Sequence, residues 1–323
     1  MKTLYVIGNG FDIYHNLDTR YQSFARFLAE QNNEIYELLL QYYALPDITD
    51  PAVTDEEYAL WSRFEEALAD LDYQSVLDDN SDYAASPGFG EWKDSQWHAY
   101  QIQMELIIKQ LTTELIDAFS EFISQVDYSV VQKNPALKFE KDGHYLNFNY
   151  TETLQCFYHV PDEKITYIHE KAGQSSPLIL GHGTDPENFV EPEEKAPVGL
   201  TDEEFENWRE QKAEEWDFST DSAKQEILHY YTTAFKNCED IIIQKEKFFS
   251  SLAQVEKIIV LGHSLSAVDI KYFQKLKAVT NSGVSWQVSY YGDYEKEQHM
   301  QTLINLGVPV DKIVQISISD LSA

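Results

Sequence analysis

The chain of 323 residues is short of cysteine, of basic residues and of long apolar runs. Its two cysteines, Cys156 and Cys238, have no neighbours at metal-ligand spacing and are too few for a disulfide framework. They read as small buried hydrophobes of a protein in a reducing compartment. Lys and Arg total 24 against 55 Asp and Glu, a formal charge of −31. Electrostatic binding of nucleic acid or of an anionic membrane needs a basic surface, which this balance withholds. No apolar run approaches the roughly 20 residues of a membrane span. The opening MKTLYVIGNGFD holds too short an apolar stretch for a signal peptide. A cytoplasmic location, with no membrane partner and nucleic acid disfavoured, is the expectation.

What is present is material for a core, with 43% hydrophobic and 14% aromatic residues. That excludes disorder for most of the chain. Short runs rich in Ile, Val and Tyr read as buried strands at Thr3–Ile7, His144–Phe148, Lys164–Ile168, Leu178–Leu180, Ile258–Leu261, Trp286–Tyr290 and Ile313–Ile318. Helical patterns such as Val268–Val279 and Tyr294–Leu306 lie between them. Strands alternating with helices imply an α/β, Rossmann-like fold with a mostly parallel sheet. Between the first two strands, Tyr21, Phe24 and Leu28, then Met104, Ile108, Leu111, Leu115 and Phe122, recur at helical spacing. This is too long for an ordinary crossover, so a large helical insertion is expected over 17–140. Within it, WSRFEEAL places Trp61, Phe64 and Leu68 on one helix face with Glu65 beside them. The expected organisation is one domain over 1–323 with a second, acidic insertion over 185–221.

The charge is unevenly placed. Residues 46–96 hold 14 acidic and two basic residues, and residues 185–221 hold 14 acidic and three basic. Together these stretches carry −23 of the −31. Pro186, Pro192 and Pro197 mark the second as irregular until a helix capped near Thr201 begins.

Five segments carry chemistry. The first strand runs into Gly8-Asn9-Gly10-Phe11-Asp12, a glycine turn where open parallel sheets bind ligands and where free backbone N–H groups can meet phosphate. It lacks the third glycine of the dinucleotide fingerprint. Asp12 suits either a sugar hydroxyl or the cap of the next helix. Asn147-Phe148-Asn149-Tyr150-Thr151 crowds amides at a strand end, where a polar ligand would satisfy them, and Thr151 suits an N-cap. His169 follows a strand and is placed for acid–base work. Leu180-Gly181-His182-Gly183-Thr184-Asp185 reads as a ligand-facing turn or as a hinge. Gly262-His263-Ser264-Leu265-Ser266, followed by Asp269, invites comparison with the Gly-x-Ser-x-Gly elbow of α/β-hydrolases. Ser266 replaces its second glycine, and His299 is the one histidine left to complete a triad.

Taken together, GNGFD, WSRFEEAL, NFNYTETL, YIH and VLGHSLSAVDIKYF resemble the AbiH family of bacteriophage abortive-infection proteins, from end to end of the chain. Where that pattern commonly has His-Gly, this chain has His169-Glu170. The order of segments also resembles, more distantly, sirtuin-type NAD-binding domains, with Gly8-Asn9-Gly10, Asn149, His169 and Gly262-His263-Ser264-Leu265 as counterparts. The Asp that commonly follows the sirtuin-type Asn is absent, as are zinc-binding cysteine pairs, which disfavours a protein deacylase. The first resemblance implies antiphage defence and leaves room for a phage-derived trigger protein and for self-association. The second implies NAD or a related nucleotide as substrate or ligand and cleavage of the bond between nicotinamide and ribose; no metal is expected. In that chemistry the catalytic residues would be His169 as base, Asn149 orienting the sugar and Asp12 binding a hydroxyl. Gly8, Asn9, Gly10, Asn147, Thr151, Gly262, His263, Ser264 and Asp269 would bind the nucleotide. A nucleotide sensor without turnover, a serine hydrolase using Ser264 and an RNA-directed toxin are the competing expectations.

Overall fold

The computed structural model describes residues 2–85, 97–133, 136–192 and 195–322. Six strands, β1 (Thr3–Ile7), β2 (His144–Asn147), β3 (Ile165–Tyr167), β4 (Lys257–Leu261), β5 (Ser285–Ser289) and β6 (Ile313–Ile316), form one sheet in the order β3-β2-β1-β4-β5-β6. Every pairing is parallel. Helices cover both faces of such a sheet, which is why its central strands are short and almost wholly apolar. Side chains alternate across β1. Leu4 and Val6 join a core with Phe148, Val260, Tyr272 and Trp286, whereas Tyr5 and Ile7 join another with Phe11, Tyr145 and Leu261. Register sets the working edge, because Ile7 pairs with both Asn147 and Leu261, and Asn147 with Tyr167. The turns that follow β1 to β4 therefore emerge side by side.

Helices between β1 and β2 build a third core. Phe24 and Leu28 come from the helix Tyr21–Gln31, and Trp61 and Phe64 from a short 3-10 turn and the helix Phe64–Ala67. Leu111 and Phe119 come from the nearly continuous run Ala99–Ser124, which contains a π turn at Gln110–Glu114. Tyr230 and Tyr231, on the much later helix Phe218–Thr233, complete this core and donate their hydroxyls to the carbonyls of Leu68 and Leu71. Part of the first acidic stretch is thus packed structure, although residues 86–96 lie outside the described residues. In the second stretch, the helix Asp202–Glu215 starts at Thr201 with a capping box closed by Glu204.

One expected strand is absent. Leu178–Leu180 pairs with no ladder: Ile179 N–H goes to the carbonyl of His169 and its own carbonyl accepts from Tyr150, so the segment crosses the strand ends instead of extending the sheet. The last strand stops at Ile316, and the helix expected from Val268 begins at Ile270 after a 3-10 turn at Ala267–Asp269. Among the described residues no helix is long and apolar enough to cross a membrane.

Candidate functional site

In the strand order found here the chain path reverses between β1 and β4, and such switch points open a crevice at the carboxyl ends of the strands. Here two glycine turns meet across it. Gly8 N–H donates to the carbonyl of Leu261 at 2.9 Å and Gly10 N–H to that of Gly262 at 2.7 Å. A Cβ on Gly10 would lie 2.7 Å from Gly262 Cα, and one on Gly262, whose φ is +65°, 2.1 Å from Phe11 N. These glycines permit backbone to touch backbone. The amides of Gly8 and Gly10 are spent on that contact. Asn9 is held on Thr19, donating to its carbonyl at 3.1 Å and accepting from its hydroxyl at 2.5 Å.

Two buried polar groups flank the turns. The first gathers on Asp12, which lies inside the helix Asn9–Tyr14 and caps nothing, Gly8 being the N-cap residue. Its carboxylate accepts from Thr151 at 2.6 Å and Thr153 at 2.7 Å. Thr151 is likewise no N-cap, since Glu152 occupies that position before the helix Thr153–Tyr158. Asn149 donates its amide to the carbonyl of Gly8 at 3.1 Å, and its backbone N–H goes to the side chain of Asn147. Asp12 is 1% exposed, and burial, opposed by hydrogen bonds from Thr151, Thr153 and Asn149, pushes its carboxyl up to about 6.

The second group gathers on Asp269. One carboxylate oxygen lies 3.0 Å from Lys236 Nζ and 3.5 Å from His169 Nε2, and the other 3.4 Å from His263 Nε2. The ammonium of Lys236 also binds Glu65, whose other oxygen accepts from Tyr21 at 2.5 Å. His263 Nδ1 accepts from the N–H of Leu265 at 2.9 Å, so the neutral ring carries its proton on Nε2, toward Asp269. The rings of Phe148, Tyr150 and Tyr272 enclose His169. Burial, helped by the Lys236 charge, lowers its pKa, and Nε2 makes no hydrogen bond among the described residues. Despite burial, Lys236 and the two imidazoles hold the Asp269 carboxyl well below the usual carboxylate range.

The sequence-selected residues therefore form two clusters. His169, His263 and Asp269 share the face carrying Phe148, while Asp12, Asn149 and Thr151 belong with Phe11 and Leu154 on the other. Gly8 joins them, its carbonyl bonded to Asn149 and its Cα packed against His263. Ser264 is exposed, and His299 turns Nδ1 to the carbonyl of Ser289 at 3.0 Å. Gly181-His182-Gly183 is a structural joint. His182 pairs with Phe235, its carbonyl accepts from Lys236 N–H, and Gly181 and Gly183 press on Ala234 and Val268. That joint seats Lys236, which lies in a plain linker and which sequence reasoning missed. Glu65 carried a faint signal, a carboxylate beside a core-facing helix stripe. Glu170 takes φ +63°, a conformation that favours glycine, and pairs with Lys245 at 2.8 Å. Among the described residues no group of three or more His, Cys, Asp or Glu side chains could hold a metal ion.

The model of a protein family described as bacteriophage abortive infection AbiH matches residues 4–290, which include both polar clusters. No curated protein and no solved structure matches the chain. The sirtuin-type likeness rests on motif order alone.

Proposed function

The chain belongs to the AbiH family, and from that place in antiphage abortive infection we propose that its switch-point site binds a nucleotide and hydrolyses NAD at the N-glycosidic bond. One observation carries the proposal: at the working edge of the sheet a buried histidine, whose pKa burial lowers, turns Nε2 toward the ionised Asp269 at 3.5 Å, which leaves Nδ1 of the neutral ring to accept a proton. A neutral imidazole is the form that accepts a proton. In the reaction the bond between nicotinamide nitrogen and ribose C1′ breaks with its electron pair going to nicotinamide. Water attacks the resulting oxocarbenium-like carbon and passes its proton to His169. Products are nicotinamide, ADP-ribose and that proton. Asp269 steadies the imidazolium that forms, and Asn149, already donating to Gly8, is the group next to the turn able to orient a ribose.

Purified protein incubated with NAD is expected to release nicotinamide, and His169→Ala to lower kcat by about 10²-fold or more. Because burial lowers the His169 pKa, the acid limb of the pH–rate profile should fall below the ordinary histidine range. No turnover under any activating condition, with His169→Ala still protecting cells from phage, removes the hydrolase reading. The burial of His169, at 2% exposed, favours a second reading, a sensor that closes on a nucleotide and leaves it intact. It predicts thermal stabilisation of about 2.7 kcal/mol at a hundredfold excess of ligand over Kd, without product.

A further inference from the structure

We propose that a groove on the helical insertion is where a basic, amphipathic segment of a partner protein docks, and that this docking triggers the defence. The proposal stands apart from the reading of His169 and NAD. Two hollows, of about 420 and 440 Å³, adjoin at the helix Tyr21–Gln31 and share the side chain of Arg26. The first lies between that helix and the end of the helix Leu115–Ser124 with the segment that follows it. Its apolar wall is made by Phe27, Phe122, Val126 and Val130, with the two phenyl rings 5.7 Å apart and Val130 39% exposed. Ile48, Pro51, Val53 and Tyr58 line the second, and the Arg26 guanidinium lies over the Tyr58 ring at 5.3 Å.

Charge selects the occupant. Asp18, Glu30 and Asp127 line the first hollow and Asp50 and Asp55 the second, all of them exposed, with Arg26 the cation among the described lining residues. An apolar wall rimmed by carboxylates fits a segment that is apolar on one face and carries Lys or Arg on its flanks. Adjoining hollows suit successive anchors of one such segment, spaced as i and i+3 or i+4 are on a helix. A second copy of this chain, at −31, is repelled from the same surface. The groove also backs onto the working edge of the sheet. Asp18 precedes Thr19, which holds Asn9 of the first glycine turn through its carbonyl and its hydroxyl. Asp127 precedes Tyr128, whose hydroxyl accepts the N–H of Glu152, between the two threonines that bind Asp12. A segment seated in the first hollow therefore touches both of the loops that brace the Asp12 cluster.

The experiment follows the fluorescence anisotropy of a labelled peptide of about 14 residues, about 21 Å long as a helix, on addition of the full-length protein. The peptide is built of Leu and Lys with its leucines on one face, and it is expected to bind. Peptides with Glu in place of Lys, or Ser in place of Leu, are expected not to. Glu30→Lys combined with Asp55→Lys should weaken binding by about tenfold or more, and so should Val130→Asp. Glu203→Lys combined with Glu210→Lys makes the same change of net charge on the exposed helix Asp202–Glu215 and should alter affinity by about twofold or less. In cells, the groove variants should lose protection against phage while keeping the wild-type Tm, and the helix variant should keep protection. Equal weakening by the two pairs of charge swaps reduces the binding to general attraction and overturns the docking site. Failure of the Leu–Lys peptide to bind, or equal binding by the Ser–Lys peptide, overturns it as well. Protection that survives in the folded groove variants overturns the trigger.

Discussion

Asp12 shows how far a side chain's surroundings can move its chemistry. Its folded pKa of about 6 stands above the ordinary 3.8 because burial penalises the anion more than three hydrogen bonds reward it. The folded state therefore holds the proton more tightly than the unfolded chain does. That contribution to stability is fully present below about pH 4 and is lost as pH rises through about 6, a swing of about 3 kcal/mol at 1.4 kcal/mol per tenfold change in affinity. Asp12→Asn should accordingly raise stability at pH 7 by about 1–3 kcal/mol and change little at pH 4, which urea denaturation at the two pH values would show. Asp12, His169, His263 and Asp269 were all legible in the sequence, because each lies in a polar segment that follows an apolar strand run. Lys236 was not. Phe235-Lys236-Asn237 reads as an ordinary connection between helices, and only tertiary contacts seat its backbone on His182 and its ammonium between Glu65 and Asp269.

Among the elements, the strand ends and their turns carry most of the information. The glycine contact of β1 with β4 explains residues that a phosphate-binding reading also explains, and the structure adds that the Gly8 and Gly10 amides face their neighbour. Glu170 is one of five non-glycine residues at positive φ among the described residues. A left-handed conformation costs a residue with a Cβ about 1–2 kcal/mol, and the partly exposed pair with Lys245 returns at most about 1. Glu170→Gly should thus leave stability unchanged or raise it by up to about 1 kcal/mol, whereas the β-branched Glu170→Val should lower it by about 1–3. Thermal denaturation of both variants checks the sign. The missing strand at Leu178–Leu180 has a plain cause as well. Leu178 and Leu180 fit the insertion core while Ile179 packs against the core holding Phe148, and no neighbouring strand offers a ladder, which alternation of residue types cannot reveal.

At the scale of the whole molecule the charge of −31 acts against compactness, since like charges on one surface repel. Ion pairs offset part of it, most of them exposed and individually weak, such as Lys2 with Glu256 and Arg63 with Glu66. Raising ionic strength from about 0.01 to 0.15 M shortens the screening length from about 30 to 8 Å. Tm should rise by several degrees in calorimetry; a fall would mean that the ion pairs outweigh the repulsion. The two acidic stretches have different fates. The first contributes Trp61, Phe64 and Leu68 to a core and Glu65 to the site, while the second contains the helix Asp202–Glu215, whose described side chains are mostly exposed.

The α/β class, the parallel sheet, the helical insertion and the turns where chemistry gathers were all set by the sequence itself. These depend on local properties, the period of apolar residues and the conformational freedom that glycine gives to turns, which a chain carries wherever it folds. Tertiary structure alone decided that Lys236 binds a carboxylate 171 residues away and another 33 residues away. It also decided that Asp12 and His169 stand on opposite faces of one sheet, joined at Gly8. Such contacts arise when closing a loop brings distant groups into a low-dielectric interior, where a charge must find its partner or not be buried at all.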